Sequence, residues 1–384
     1  DLPLCTPRNQ ILYSNPVNNK NDNPRIFLKS ILKPLKGLEA VFEYTFDKNI
    51  YDYHWYTGQY DYTTIQGGSS KSFVDDYLRK YKQHTNYNSI NVYATYNKDF
   101  GNHHFKVMAG FNQESSYQET LDTYSYNQAV LDVPAMSSGT GTIKATDSYS
   151  EYAIRGGFFR VNYNYLDKYL LEVNGRYDGS SKFPKSSRFG FFPSVSAGWQ
   201  IAQERFMNST RHWLDGLKLR ASYGVIGNQN INPYTFTPSM SVNNKATSWI
   251  IDDTYVTSIS SLPALVSQNF TWEKVGTINV GLDVNLFNNR LSGVFEWYQR
   301  NTNGMLAPGV QLPAVVGASA PYQNTADMRT RGWELSLNWR DQIGKVGYRI
   351  GFNLSDYKSE IIKYDDNAAT KLLSSYYPGQ TLGE

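Results

Sequence analysis

Sulfur and histidine are scarce in this sequence, and no long greasy run occurs in it. A single cysteine, Cys5, excludes an internal disulfide framework. No uninterrupted apolar stretch of about 18 residues is found, so no transmembrane helix is expected. No basic-then-apolar leader opens the chain at Asp1. Charge of one sign is missing too: 37 basic and 34 acidic residues leave a net charge of +3. That near-balance argues against a nucleic-acid partner held by charge. The five histidines (His54, His84, His103, His104 and His212) are scattered. Neighbours on a strand point to opposite faces, so His103 and His104 cannot share one ion from a strand, and no metal site is expected.

What is abundant is aromatic: 31 Tyr, 19 Phe and 8 Trp make up 15% of the chain. Such a fraction is high for a soluble domain and expected where rings line a membrane interface. The alternation is as telling. In "KYLLEVNGRYDGSSKFP" (Lys168 to Pro184), Tyr169, Leu171, Val173, Gly175 and Tyr177 share one parity. Leu170, Glu172, Asn174, Arg176 and Asp178 take the other, as successive strand side chains must. The same two-sided pattern marks Leu38 to Phe46, "INVYATYN", "FKVMAGFN", Leu217 to Val225, Val280 to Phe287, Leu291 to Arg300, Trp333 to Arg340 and Tyr348 to Ser355. About twelve strands are expected, each near the ~9–11 residues a tilted strand needs to cross a bilayer.

The apolar parity of these strands carries no Lys, Arg, Asp or Glu. A cation at the lipid midplane of a barrel costs about 2–4 kcal/mol, so this exclusion is what lipid exposure demands. The opposite parity carries Glu43, Lys106, Arg160, Glu172, Arg176, Lys218, Arg220, Asp283, Glu296, Glu334, Arg340 and Arg349. A barrel of about twelve strands is too wide for side chains to fill, since ~8 strands only just fill. The fold class expected is therefore all-β: a transmembrane antiparallel up-and-down β-barrel, with the polar parity towards water. A soluble two-sheet sandwich is the alternative on strand pattern alone.

Connections should alternate in length. Short turns are expected at Asp167-Lys168, Phe100-Gly101-Asn102, Asn288-Asn289 and Asp341 to Lys345. Long loops are expected over 61–85, 115–148, 227–270 and 301–330. Ala202 to Gly216 reads as a short helical connector with Asn208 or Ser209 as its N-cap. In "YAIRGGFFRVNYNY" the apolar parity switches across Gly156-Gly157, and a β-bulge there would keep the face continuous. Residues 1–23 read as a lead-in loop, 24–357 as barrel strands, and 358–384 as a loop towards strands outside this chain.

Several blocks carry a resemblance. "RYDGSSKF" (Arg176 to Phe183), "FPSVSAGWQIAQERF" (Phe192 to Phe206), "LKLRASYGVIGNQNINPY" (Leu217 to Tyr234), Trp272 to Leu306 and "NTADMRTRGWELSLNWRD" (Asn324 to Asp341) closely resemble the SusC/RagA family of TonB-dependent outer-membrane transporters of Bacteroidota. The resemblance covers most of the chain from about Asn23 and implies a family barrel of about 22 strands around an N-terminal plug, of which this chain supplies a partial, central portion. It further implies import of a nutrient too large for porins, an oligosaccharide or oligopeptide. A SusD-like lipoprotein would serve as lid, and TonB would deliver energy from the proton gradient through the plug region. Paired transporter–lid dimers are compatible with it. No other cofactor is implied, and calcium binding stays open. A passive porin-like channel and a surface glycan-binding protein are the alternatives.

Within that reading, candidate lumen-facing residues are Glu172, Asn174, Arg176, Asp178, Lys218, Arg220, Asp283, Glu296, Glu334 and Arg340. Candidate loop contacts for substrate or lid are Tyr234, Trp249, Tyr255 and Tyr322, rings able to stack on sugar or peptide. Tyr163, Tyr165, Trp199, Trp297, Trp333 and Trp339 are expected in interface belts. "DGSS" at Asp178 to Ser181 reads as a turn with Gly179 relieving the backbone, against a calcium or substrate reading. Asp252-Asp253 and Asp365-Asp366 sit in expected loops, and no nucleophile-elbow motif is present, so no enzyme is expected. "LPLC" has the form of a lipoprotein acylation site without the apolar stretch such a signal requires, which leaves a buried or incidental thiol as the expectation.

Overall fold

The computed structural model describes residue 8 and residues 17–57, 61–62, 71–72, 76–130, 133–240, 242–243, 250–251, 254–255, 259–260, 263–267, 270–309, 312–318, 320–364 and 376–383. Cys5, Trp249 and the acidic pairs at 252–253 and 365–366 lie outside them, as does the side chain of Tyr255.

Thirteen strands form one sheet. They are β1 (Asn18–Asp22), β2 (Arg25–Leu35), β3 (Leu38–Thr57), β4 (Tyr77–Phe100), β5 (His103–Tyr126), β6 (Ile143–Tyr165), β7 (Tyr169–Ser180), β8 (Phe189–Gln200), β9 (Leu214–Asn228), β10 (Glu273–Leu286), β11 (Leu291–Pro308), β12 (Tyr322–Ile343) and β13 (Val346–Tyr364). From β3 onward each strand pairs with its chain neighbours, while β1 and β2 both pair with β3. Among the described residues no pairing joins β13 back to β1 or β2. The registers from β6 to β13 are all antiparallel. β2 tolerates Pro34 because it pairs on one side only, so the missing N–H breaks no ladder. Pro193 follows the same logic inside β8, where pairing to β9 stops at Ser194↔Gly224.

Several expectations are corrected. β4, β5 and β6 span 24, 24 and 23 residues, about twice what a tilted crossing of ~9–11 needs. Much of the expected loop sequence over 61–85, 115–148 and 301–330 is therefore strand. Outside lipid the backbone ladder continues, but nothing requires one parity to stay apolar, so the periodic signal fades before the strand does. For the same reason β1 lies within the expected lead-in, and β13 runs beyond residue 357 to Tyr364. No bulge occurs at Gly156-Gly157 on the β7 side: the register runs unbroken from Ile154↔Ser180 to Tyr165↔Tyr169. Arg155 thus keeps the parity of Phe159 and stacks on the Phe189 ring at 5.7 Å. The connector after β8 is two 3₁₀ stretches, Ile201–Gln203 and Arg205–Thr210. The N-cap of the second is Glu204, while Asn208 and Ser209 lie inside it.

The chain divides into two compact units. The first holds Asp1–Ser30, Phe42–Ile90 and Gln113–Ala153; the second holds Ile31–Val41, Asn91–Asn112 and Ile154–Glu384. In the second unit the apolar parity is continuous across the sheet. Leu171 pairs with Ala197, Ala221 with Val280, and Phe295 with Leu335. Rings frame it. At the short-turn end His103, Tyr163, Tyr165 and Tyr169 are in contact, and Trp339 meets Phe287. At the other end Tyr177 stacks on Phe189, and Trp297 lies opposite Trp333. One step beyond those tryptophans the same parity turns polar, where Arg331 Nε donates to Gln299 Oε1 at 2.8 Å. The unit's buried core is small and lies near the long-loop end: Phe192 of β8 with Phe183, Phe270 and Trp272 from the flanking connections.

Candidate functional site

The polar parity of the second unit carries a lattice of ionised and amide groups. Pairing places Gly198, Arg220, Gly281, Glu296 and Glu334 in one row across five strands. Arg220 Nε donates to both carboxylate oxygens of Asp283, at 3.1 and 3.3 Å. Its Nη2 reaches across β10 to donate to Glu296 Oε1. Asn279 Nδ2 donates to the other oxygen of Glu296 at 3.2 Å. The crossing depends on Gly281, because a Cβ there would lie 2.6 Å from Arg220 Cζ. Lys218 stands opposite Asp283 in the register, but its side chain leans over β8, with Cε near Gly198.

A second cluster centres on Glu172. Asn174 Nδ2 donates to it at 2.8 Å and Asn162 Nδ2 donates to its other oxygen. Arg160 Nε donates to Asn174 Oδ1 at 2.6 Å and lies 3.9 Å from Glu172. His104, Lys106, Asn162, Glu172, Lys218, Arg220 and Asn279 line a common cleft. It mixes both signs and amides, and therefore selects neither an anion nor a cation by field alone.

The remaining sequence candidates separate. Arg176 grips Asp178 through two hydrogen bonds of 3.0 and 2.9 Å. Asp178, Gly179 and Ser180 are still strand, so the expected turn at "DGSS" begins later, at Ser181. Gly179 is required for packing and not for backbone relief: a Cβ there would collide with the Phe189 ring. Arg340 does not join the lattice; its Nε donates to Asn289 O at 3.0 Å and closes a short turn. Tyr234 is exposed in a turn with φ 64°, uncommon for a bulky side chain. Tyr322, also exposed, opens β12 and borders a pocket with Asn230, Asn232, Thr235 and Phe270.

That pocket adjoins the aromatic core, which ties the segment after β7 to the start of β10. Trp272 Nε1 donates to Arg188 O at 2.8 Å, Thr271 Oγ1 to Ser187 O at 2.8 Å, and Ser187 Oγ to Phe270 O at 2.8 Å. Asn324 accepts from Thr271 N at 2.8 Å and donates back to Thr271 O at 3.0 Å. On the connector, Glu204 accepts from Tyr169 Oη at 2.6 Å, Trp199 Nε1 at 3.2 Å and Lys168 Nζ at 3.3 Å. These donors, the Tyr169 hydroxyl first, hold its carboxyl below the usual carboxylate range.

The first unit contains a group of side chains that the sequence reading missed. Tyr51, Tyr53 and Trp55 on β3, Tyr77, Arg79 and Tyr81 on β4, and Asp122, Tyr124 and Tyr126 on β5 bring their side chains together. Arg79 donates Nε and Nη2 to the two oxygens of Asp122, each at 2.9 Å. Its Cζ lies 5.4, 5.7 and 5.2 Å from the rings of Tyr53, Tyr81 and Tyr124. Tyr77 meets Trp55 at 5.6 Å and both Tyr124 and Tyr126 at 5.7 Å. Lys144 Nζ caps the Tyr126 ring at 4.8 Å. All seven rings are half-buried. The available signal was alternation in aromatics alone, at 51, 53, 55 and at 77, 81, which a search for apolar-against-charged strands passes over.

A family description, "TonB dependent receptor-like, beta-barrel", matches residues 6–382. TonB-dependent receptor P3 of Formosa agariphila is 31% identical over 315 residues, covering 80% of this chain and 30% of that protein. TonB-dependent receptor SusC of Bacteroides thetaiotaomicron is 32% identical over 283 residues, covering 72% of this chain and 27% of that protein. Among solved structures, the RagAB peptide importer in its "closed-closed" state has a TM-score of 0.82 at 23% identity, over 95% of this chain and 39% of that one. This chain thus spans less than a third of the curated relatives it matches. Paired strands with one unbroken apolar face, framed by rings and backed by a polar lattice, agree with that match, and the chain belongs to the TonB-dependent receptor-like β-barrel family of the bacterial outer membrane.

Proposed function

We propose that this chain forms the central barrel wall of a TonB-dependent importer that takes up a large nutrient, an oligosaccharide or oligopeptide, beneath a SusD-like lipoprotein lid. The observation that carries the reading is the two-faced sheet: an outer parity free of charge between its aromatic rings, and an inner parity on which Arg220 pairs with both Asp283 and Glu296. Glu172, Asn174, Lys218, Arg220, Asp283, Glu296 and Glu334 face the lumen in this reading. A lattice of compensated charge and amides presents hydrogen-bonding groups to water or to a moving plug without trapping ions of one sign. Transport then needs no bond chemistry from these residues; energy comes from TonB. Tyr234 and Tyr322 stand at the long-loop end, where a lid or cargo would make contact.

The test is purification of the intact protein from outer membranes in mild detergent, with the co-purifying chains identified and uptake assayed with and without TonB. Recovery of a SusD-like lipoprotein together with TonB-dependent uptake supports the reading. A solitary barrel that passes small solutes without TonB overturns it in favour of a passive channel.

A further inference from the structure

We propose that the ring-lined face around Arg79 and Asp122 in the first unit is a binding platform for a neutral oligosaccharide. This rests on the importer reading and assigns its cargo class. The rings of this face share the polar parity of their strands, since Tyr51, Tyr53 and Trp55 continue the alternation of Glu43 along β3. They are not a closed core: each ring is half-buried. Half-buried rings joined to a half-buried polar pair are what an amphipathic ligand needs.

A sugar ring offers C–H groups on its faces and hydroxyls around its rim. Tyr77, Tyr124 and Tyr126 offer flat faces and phenolic oxygens to match. The stacked pair Tyr124–Tyr126, with planes 16° apart, gives two parallel surfaces. Between the rings, Arg79 spends two donors on Asp122 and keeps others, while Asp122 Oδ2 also accepts from the Tyr124 hydroxyl at 3.5 Å and Oδ1 keeps a lone pair. A preorganised fork of donors beside acceptors suits vicinal hydroxyls.

Arg79 and Asp122 neutralise each other, and their stacking between tyrosines fixes their geometry. Lys144, engaged with the Tyr126 ring and hydroxyl, is the other formal charge in the cluster. A peptide held along its main chain would require an open strand edge. β3, β4 and β5 are interior strands with a neighbour on each side, so their backbone groups are already used.

The test uses the intact protein purified from outer membranes, applied to an array of neutral and acidic oligosaccharides and, in parallel, to a mixed peptide library. Binding to neutral oligosaccharides is expected. Tyr124→Ala should weaken it about tenfold, the scale of one lost ring contact, and Tyr124→Phe should keep most of it. Tyr53→Ala is the second probe should Tyr124→Ala fail to assemble, as judged by heat-modifiable gel mobility. Selection of peptides, no binding to neutral oligosaccharides, or binding indifferent to both alanine variants overturns the platform. Uptake with and without TonB is measured on the same variants. Tyrosine-dependent sugar binding without TonB-dependent uptake would remove the importer and leave the platform standing.

Discussion

Arg220 lies across the bare backbone of Gly281 to reach Glu296, two strands away from its own. The contact makes three consecutive strands, β9, β10 and β11, share one ion network with Asp283. All three side chains are less than a third exposed. Glu296 also stands directly opposite Glu334, so the guanidinium offsets a like-charge pairing. Gly281→Ala is expected to push Arg220 off this path. Its destabilisation should approach that of Arg220→Ala, about 1–3 kcal/mol for lost charge-assisted bonds. The double variant should then cost little more than either single one. Unfolding midpoints of the detergent-solubilised protein for all four forms test this; full additivity would show that the two residues act independently.

The extent to which this arrangement was legible in the sequence follows from where lipid constrains the chain. Leu171, Val173, Leu219 and Phe295 had to be apolar and Glu172, Lys218 and Glu296 could not share their face, so parity alone sorted both sets. Short turns at 101–102, 166–168 and 287–290 were readable for the same reason. Once β4, β5 and β6 leave the bilayer the constraint lapses, and their outer halves read as loop. The Arg79–Asp122 face lies in those halves. Pairing across strands was never legible: nothing in the sequence says that residues 79 and 122 meet, or that Arg340 would close a turn at Asn289 while Arg220 joined a lattice.

The aromatic core should behave as a clamp on the long-loop end. Phe183 and Phe270 are almost fully buried, and Trp272 packs against Phe183 and Phe192 at 5.0 and 5.2 Å. Trp272→Ala removes the ring and its bond to Arg188 O, with an expected cost of about 3–5 kcal/mol. Trp272→Phe should cost less, because it keeps most of the packing and loses the N–H. Limited proteolysis is the sensitive readout: cleavage within Ser181–Arg188 should speed up in Trp272→Ala while the strands stay resistant. Unchanged cleavage there would show that the segment is held by something other than this core.

Face assignment can be tested on adjacent turns of one strand. Leu171 lies on the apolar parity of β7, 42% exposed in the isolated chain, where lipid would cover it. Leu171→Arg should cost about 2–4 kcal/mol near the bilayer midplane and impair assembly. Asn174→Arg, on the opposite parity, adds a cation beside Glu172 and should assemble better. Folding yields into lipid vesicles distinguish them; equal yields would mean that the lipid-facing side has been assigned wrongly.

Glu204 provides a pH-dependent prediction outside the membrane-crossing segments. Its carboxylate collects the Tyr169 hydroxyl, the Trp199 N–H and the Lys168 ammonium, and its pKa in the folded state is lowered. A depressed folded pKa means that the unfolded chain takes up the proton first as pH falls. The stabilisation is therefore fully present above the unfolded value of about 4.3 and is lost as pH drops through the lower folded value. Glu204→Gln keeps an acceptor for Tyr169 and Trp199 but removes the charge opposite Lys168. Melting temperatures of wild type and variant should differ by a constant amount from neutral pH down to the onset of that titration, then converge on further acidification. A gap that persists unchanged below the titration would assign the variant's defect to geometry at the connector and not to the charge.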